Sequence, residues 1–527
     1  MKDLMLLNGR IYTMNPELPI AEAVAIIDSK IVAVGKSSDV ENLSRRNFQV
    51  IDLEGKTVIP GLIDCHTHFL SFAYSLHRVN LQGFSSFEKL LSAVRSFSRK
   101  LKPDEWLVGD GWDKNILGDQ SLFTKETLDN LWPEAPALLQ SKDHHLLWVN
   151  SKTLKAAGID ENTDDPPGGR IERDPLNREA TGLLKENACN LVWDRVPSLP
   201  TTTSERLLRE AMKIANSYGL TGIHDFEGQR AFDLFRQMAA DNELTLRVAY
   251  WIPDGDLDSA MNLGTRSGFG DEAVRFGGVK LYCDGTLGSQ TASMFEPYEG
   301  SADNCGICVT PQEQLTEIAR KASQAGISVA IHAIGDKAVH QALNAIEASA
   351  PENIKENRLR HRIEHIQLLH SPDVERFKKL RVIASVQPVH APSDRDVAEK
   401  YWGKRCKLAY AYQTLRKSGA QVVFGSDVPI ETLNPWSGIY AAVTRKKTNE
   451  DESWYPKEKL GLAEAVSAYT RWASYASYEE NVKGSIQIGK LGDMVILSQD
   501  VFEIEPERLP ETKAECTILG GKIAFQA

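Results

Sequence analysis

The first 59 residues alternate apolar and polar positions in short blocks, a period of two that predicts strands. Asn8-Gly9 carries the signature of a hairpin turn, and residues 23–34 alternate around a second turn at Asp28-Ser29-Lys30. The C-terminus answers this pattern. Leu519-Gly520-Gly521-Lys522-Ile523 repeats the Leu-x-Gly-basic-Ile order of Leu7-Asn8-Gly9-Arg10-Ile11, and residues 486–497 again read as strand around Gly489 and Gly492. Independent sheets at the two ends would leave unpaired edges, which invite aggregation. Residues 1–59 and 484–527 are therefore expected to form one small composite β-sandwich.

Between the two ends the period changes. Helical stretches at 311–325, 337–349 and 463–475 flank short apolar runs, and this alternation predicts an α/β fold with a parallel barrel over residues 60–483. Ahead of Gly222-Ile223-His224-Asp225 lies a stretch too long for one crossover, rich in Trp, Pro, Asp and Gly, as in Asp164-Asp165-Pro166-Pro167-Gly168-Gly169. Long insertions of this kind are usually functional. Residues 101–200 are expected to form an inserted subdomain over the barrel mouth.

The apolar run Val58-Ile59-Pro60-Gly61-Leu62-Ile63-Asp64-Cys65 ends in His66-Thr67-His68. Alternate side chains of a strand share a face, so both imidazoles point the same way, an arrangement suited to a divalent metal such as zinc. Similar runs end in His332, His365 and Asp427, and Gly278-Val279-Lys280-Leu281-Tyr282 places a lysine among apolar neighbours. A single core histidine is more often hydrogen-bonded than metal-bound. Five such strand ends are harder to explain by packing, and they match a barrel that delivers functional groups to one mouth.

These segments, with Gly109-Asp110-Gly111-Trp112-Asp113, Trp148-Val149-Asn150-Ser151, residues 278–289, Ile331 to Asp336, Ile363-Glu364-His365 and Phe424 to Ile430, resemble the amidohydrolase superfamily over nearly the whole chain. The match is to amidohydrolase family 3, the YtcJ-like branch that includes N-substituted formamide deformylases. The resemblance implies a distorted TIM (β/α)8 barrel and a ligand set of His66, His68, Lys280, His332, His365 and Asp427. His66, His68 and Asp427 would hold one metal, and His332 and His365 a second; one or two ions, zinc foremost, are expected. Burial would lower the pKa of Lys280 and let its neutral amine take up carbon dioxide as a bridging carbamate. The plainer alternative is a lysine paired with Asp284. Asp427 is the expected general base and acid at a metal-activated water.

Two further residues are candidate substrate contacts. His145 could reach the substrate oxygen from the insertion, against an ordinary loop histidine; Trp112 could line the pocket, against a tryptophan buried in the subdomain. His224-Asp225 is a candidate to orient a ligand, and His390 to approach the pocket. His77, His340, His361 and His370 carry no local pattern beyond helix or loop surfaces. The implied reaction is hydrolysis of an amide-like, non-peptide C–N bond of a small molecule. A lactone or ester hydrolase, or a small-molecule-sensing regulator on the same fold, are the alternatives.

Composition narrows the field. At 527 residues with a 42% hydrophobic share, the chain can bury a large core. A net charge of -11 argues against nucleic acid as partner, and Arg445-Lys446-Lys447 is too short to reverse that. No run approaches the roughly 20 apolar residues of a membrane helix, and the N-terminus does not read as a signal peptide. Seven cysteines, an odd number, point to reduced thiols and a cytoplasmic setting. Cys305-Gly306-Ile307-Cys308 reads as two ordinary thiols. A homo-oligomer is compatible with all of this.

Overall fold

The computed structural model describes residues 3–43, 48–117, 122–350, 358–447 and 452–527. Its centre is an eight-stranded sheet in chain order, every adjacent pair parallel. The strands are β1 (Leu62–Thr67), β2 (Leu220–Asp225), β3 (Arg247–Pro253), β4 (Val274–Tyr282), β5 (Ser328–Ala333), β6 (Arg362–His365), β7 (Ile383–Val386) and β8 (Gln421–Phe424). They are rich in Val, Ile and Ala and almost wholly buried, as strands covered on both faces must be. The ladder between β8 and β1 is replaced by bonds just past the strands: Asp427 N donates to His66 O at 2.8 Å and His68 N to Val428 O at 2.9 Å. The result is a nearly closed, TIM-like barrel. Gly425 makes this seam possible, because a Cβ there would lie 2.4 Å from His66 N.

Helices Gln312–Gln324 and Asp336–Ser349 flank β5 where the pattern predicts them, their apolar faces on the barrel. The expected helix at 463–475 is instead two, Leu462–Ala468 and Arg471–Ala476. The reason is a tertiary contact: Ile63 N of β1 donates to Tyr469 O at 2.7 Å, so that carbonyl serves the barrel and not a continuous helix.

Both termini build two further sheets. Lys30–Gly35, Ala23–Ile27, Asp3–Leu7 and Phe48–Asp52 form one; Lys522–Gln526, Ala514–Leu519, Met494–Leu497, Thr57–Pro60, Arg10–Tyr12 and Ile20–Ala21 form the other. Leu4, Leu6, Val24 and Ile26 of the first share one apolar cluster with Ile11, Val58, Met494 and Ile518 of the second. The turn at Asp28-Ser29, with φ of 48° and 69°, joins an antiparallel pair. Asn8-Gly9 does not. The strands on either side belong to different sheets, and the turn carries the chain across beside Leu53, whose Cδ1 would lie 2.2 Å from a Cβ on Gly9. A period of two cannot say which sheet a strand joins. Of residues 486–497, only Met494–Leu497 is a named strand; ahead of it the backbone bonds once each to Thr13 and Ser29 and twice to Ile31, beside an isolated antiparallel bridge between Lys30 and Leu491. Within that stretch, Asp493 binds Arg247 of β3 at 2.6 Å and accepts from Gly520 N at 2.8 Å, tying the terminal sheets to the barrel.

The excursion between β1 and β2 has its own six-stranded sheet, from Val79–Asn80 to Ala180–Glu186. It begins ahead of residue 101 because a two-residue strand leaves no periodic signal. No helix among the described residues is long and apolar enough to cross a membrane, and all seven cysteines are free.

Candidate metal centre

Parallel strands present their C-terminal ends to one face, and six side chains meet there. His66 and Lys280 lie within β1 and β4, His332 in β5 and His365 at the end of β6, while His68 and Asp427 follow β1 and β8. Asp427 Oδ1 is 3.4 Å from His66 Nε2 and 3.5 Å from His68 Nε2; its Oδ2 is 3.9 Å from His365 Nδ1 and 3.8 Å from His390 Nε2. The His332 and His365 ring centres are 4.5 Å apart, and those of His66 and His365 4.8 Å. Lys280 Nζ faces the Phe226 ring at 4.6 Å and Tyr282 at 5.1 Å. Asp284 is not its partner, because that carboxylate accepts from the backbone N–H groups of Ser293, Ile334 and Gly335.

Each buried imidazole is held by one nitrogen, which frees the other. His66 Nδ1 donates to Glu364 Oε2 at 2.6 Å, and its Nε2 is buried with no hydrogen-bond partner. His365 Nδ1 donates to Gln387 Oε1 at 2.9 Å, leaving Nε2; His332 Nε2 donates to Gly285 O at 3.1 Å, leaving Nδ1. Such partners fix the tautomer and orientation of ligating histidines. Glu364 is itself gripped by Arg362, which is wholly buried and donates to Cys65 O at 2.6 Å and to His224 Nδ1 at 3.0 Å. His224 thus acts on His66 through Arg362 and Glu364. Asp225 instead accepts from Phe69 N at 2.9 Å and so shapes the helix that follows His68.

The electrostatics suit a cation. Burial lowers the pKa of His66 to about 4 and puts His332 and His365 well below the usual histidine range, which favours the neutral form of each. Burial favours protonation of Asp427, but the facing His66, His365 and His68 hold it well below the carboxylate range. Burial brings Lys280 down to about 8. His66, His68 and Asp427 each offer one ligand atom, all within 4.8 Å of one another. An orphaned imidazole nitrogen beside an ionised carboxylate and neutral histidines fits a divalent metal.

The six residues do not all sit in the cavity above. Its volume is about 630 Å³, and His68, Lys280, His332, His365 and Asp427 line it, while His66 lies beneath. The opposite wall comes from the excursion between β1 and β2, including Arg78, Asp110, Lys142, His144, His145 and Glu186. His145 pairs with Glu186 through Nδ1 at 2.5 Å, and its ring centre stands 5.7 Å from that of His332. Burial opposes charge on His145, but Glu186 and Asp143 outweigh it and raise the pKa to about 9. Trp112 lines the cavity although it is only 1% exposed; its Nε1 donates to Leu139 O and its ring stacks on Phe123, so it is anchored in the subdomain core as well. His390 reaches the cavity. His361 is not a surface residue: it is 2% exposed, and its Nδ1 accepts from Val329 N.

Sequence reasoning passed over Glu364, Gln387, Glu186 and His144. Glu364 stands inside a singled-out motif but 298 residues from His66, and only the closed barrel brings the two into contact. Glu186 left no signal, since it meets His145 through the antiparallel pairing of Leu146–Val149 with Ala180–Glu186. His144, in the left-handed region at φ 60°, was hidden by its neighbour His145.

Comparison with known proteins agrees with this geometry. Residues 49–525 match the model of the amidohydrolase family. The chain is 34% identical to the putative amidohydrolase YtcJ of Bacillus subtilis, over 98% of both chains. It is 26% identical to the N-substituted formamide deformylase of Arthrobacter pascens, covering 100% of this chain and 99% of that one. Among solved structures, an uncharacterized metal-dependent hydrolase from Pyrococcus horikoshii superposes with a TM-score of 0.78 at 28% identity, over 96% of this chain and 99% of that one.

Proposed function

We propose that this chain, which belongs to the amidohydrolase family, is a metal-dependent hydrolase that cleaves an amide-like, non-peptide carbon–nitrogen bond of a small molecule. The convergence of His66, His68, Lys280, His332, His365 and Asp427 beneath and around one cavity carries this reading. The full-length similarity to a formamide deformylase supports the choice of bond.

His66, His68 and Asp427 are the residues to hold one metal, and His332 and His365 a second; their nitrogen and carboxylate donors favour zinc. Lys280, once its neutral amine adds carbon dioxide and releases a proton, becomes a carbamate and supplies a further anionic ligand. A bound metal supplies Lewis acidity, polarising a carbonyl and lowering the pKa of a water. The remaining work belongs to the chain. Asp427 lines the cavity as a carboxylate with each oxygen close to imidazoles, so it can take a proton from the attacking water and return it to the leaving nitrogen. His145, held as an imidazolium by Glu186, faces the cavity from the opposite wall and can donate to the substrate oxygen as charge develops there. The excursion confines the substrate and limits bulk water.

The test is a chelated and zinc-reconstituted enzyme offered N-formyl and N-acyl amines beside matched esters and lactones. Zinc-dependent release of amine is expected. Ester turnover alone, or tight binding without turnover of any substrate, would sink the reading. His145→Gln should slow amide turnover at unchanged metal content; unchanged kinetics across the panel would remove His145 from the mechanism.

A further inference from the structure

Outside the cavity, a second group of metal-competent side chains stands on the same end of the barrel. His340 lies on the helix Asp336–Ser349 that follows β5, while His370 and Asp373 lie at the short 3-10 turn that follows β6. None of the three lines the cavity. His340 Nδ1 is 3.0 Å from both oxygens of Asp373, and His370 Nδ1 is 3.6 Å from its Oδ2. The three donors lie within 4.8 Å of one another. Around a tetrahedral zinc ion with ligands at about 2.0–2.1 Å, two ligand atoms stand about 3.3 Å apart. The observed 3.0 and 3.6 Å fall on either side of that value.

Two details favour an ion over a simple histidine–carboxylate pair. His370 Nδ1 is shielded from solvent yet has no hydrogen-bond partner, although its side chain is 43% exposed overall. A buried ring nitrogen without a partner is costly, and this one is directed at a carboxylate just beyond hydrogen-bond range. Asp373 is also prepared as a ligand. Its side chain is 1% exposed, and Arg376 Nη1, which also lies 3.5 Å from His340 Nδ1, donates to Oδ1 at 2.9 Å and orients the carboxylate with Oδ2 towards both histidines. The Arg376 charge is answered separately by Glu347 at 2.7 Å and by Asn344 Oδ1 at 2.9 Å. A carboxylate oriented by a neighbouring donor, here with Oδ2 facing both imidazole nitrogens, is the usual support for a metal ligand. Phe295 closes one side, its ring centre 5.5 Å from that of His340 and 4.9 Å from that of His370.

We propose that His340, His370 and Asp373 form a second metal site, separate from the catalytic centre, which takes one divalent cation of the zinc class and leaves a coordination position to water. The ion would clip the helix after β5 to the turn after β6. The experiment is a zinc titration of untagged full-length protein against a chromogenic chelator, run in parallel on wild type, His370→Gln and His340→Gln. Wild type is expected to bind one more equivalent than either variant, with the activity of the zinc-loaded enzymes equal. Equal stoichiometry in all three would overturn the site. Crystals of wild type in zinc, with data collected at the zinc absorption edge, decide it independently of folding in the variants. An anomalous peak among His340, His370 and Asp373 supports the site, and a peak confined to the His66 centre overturns it.

Discussion

Asp427 stands among four imidazoles, with one oxygen near His66 and His68 and the other near His365 and His390. It sits at φ 61°, in the left-handed region that aspartate adopts more readily than most residues, and the backbone bond from its N–H to His66 O at the barrel seam holds it there. Asparagine keeps the shape and a carbonyl donor but cannot carry a proton. Asp427→Asn should retain most bound metal while kcat falls by roughly 10²–10⁴-fold, the usual worth of a general acid–base group. Equal kcat at equal metal content would take Asp427 out of the proton path. Glu364 offers a different residue-scale test. It touches no metal, yet it fixes the tautomer of His66 through a 2.6 Å bond. Glu364→Gln should weaken zinc binding by roughly 10–100-fold in a chelator competition; unchanged affinity would mean that β1 alone orients His66.

Among the elements, the junction of β1 with β8 matters most, because it brings His66 and His68 beside Asp427. The two strands approach so closely that Gly425 faces His66 N and Cβ at 2.4 and 2.6 Å from the place a Cβ would occupy. Backbone and a packed imidazole cannot yield as a flexible side chain would. Gly425→Ala should lower stability by at least about 1–3 kcal/mol, the common cost of overpacking, and should weaken metal binding as well. A thermal melt paired with a metal assay checks both; a melt like wild type with intact metal would show that the seam tolerates separation. The helix break at Tyr469 belongs to this scale too, since β1 claims the carbonyl that a continuous helix would have used.

Over the whole molecule, the active cavity has two walls from distant parts of the chain, and polar ties such as Thr517 Oγ1 to Asn216 O at 2.6 Å fix the terminal sheets to the barrel. Arg247 and Asp493 form one of them, with side chains 9% and 4% exposed. Removing one member leaves a buried charge without its partner. Asp493→Ala should therefore cost about 3–5 kcal/mol in denaturant unfolding, while kcat of the folded fraction stays unchanged because no cavity residue is touched. A loss of kcat without loss of stability would mean that the terminal sheets act on the site directly.

The sequence by itself determined the local parts. Periodicity placed the flanking helices of β5 and the Asp28-Ser29 turn, because these depend on neighbours three, four or two positions away. The apolar runs marked His66, His68, Lys280, His332, His365 and Asp427, because functional groups at strand ends break an otherwise uniform burial pattern. Only the tertiary structure decided which groups meet. Glu364 reaches His66 because β6 and β1 face each other across the barrel interior, and Glu186 reaches His145 because of strand register within the excursion. The same holds for Asn8-Gly9, whose turn chemistry was legible but whose strands belong to different sheets. Contacts between residues hundreds of positions apart depend on closure, register and pairing, and no local spacing encodes those.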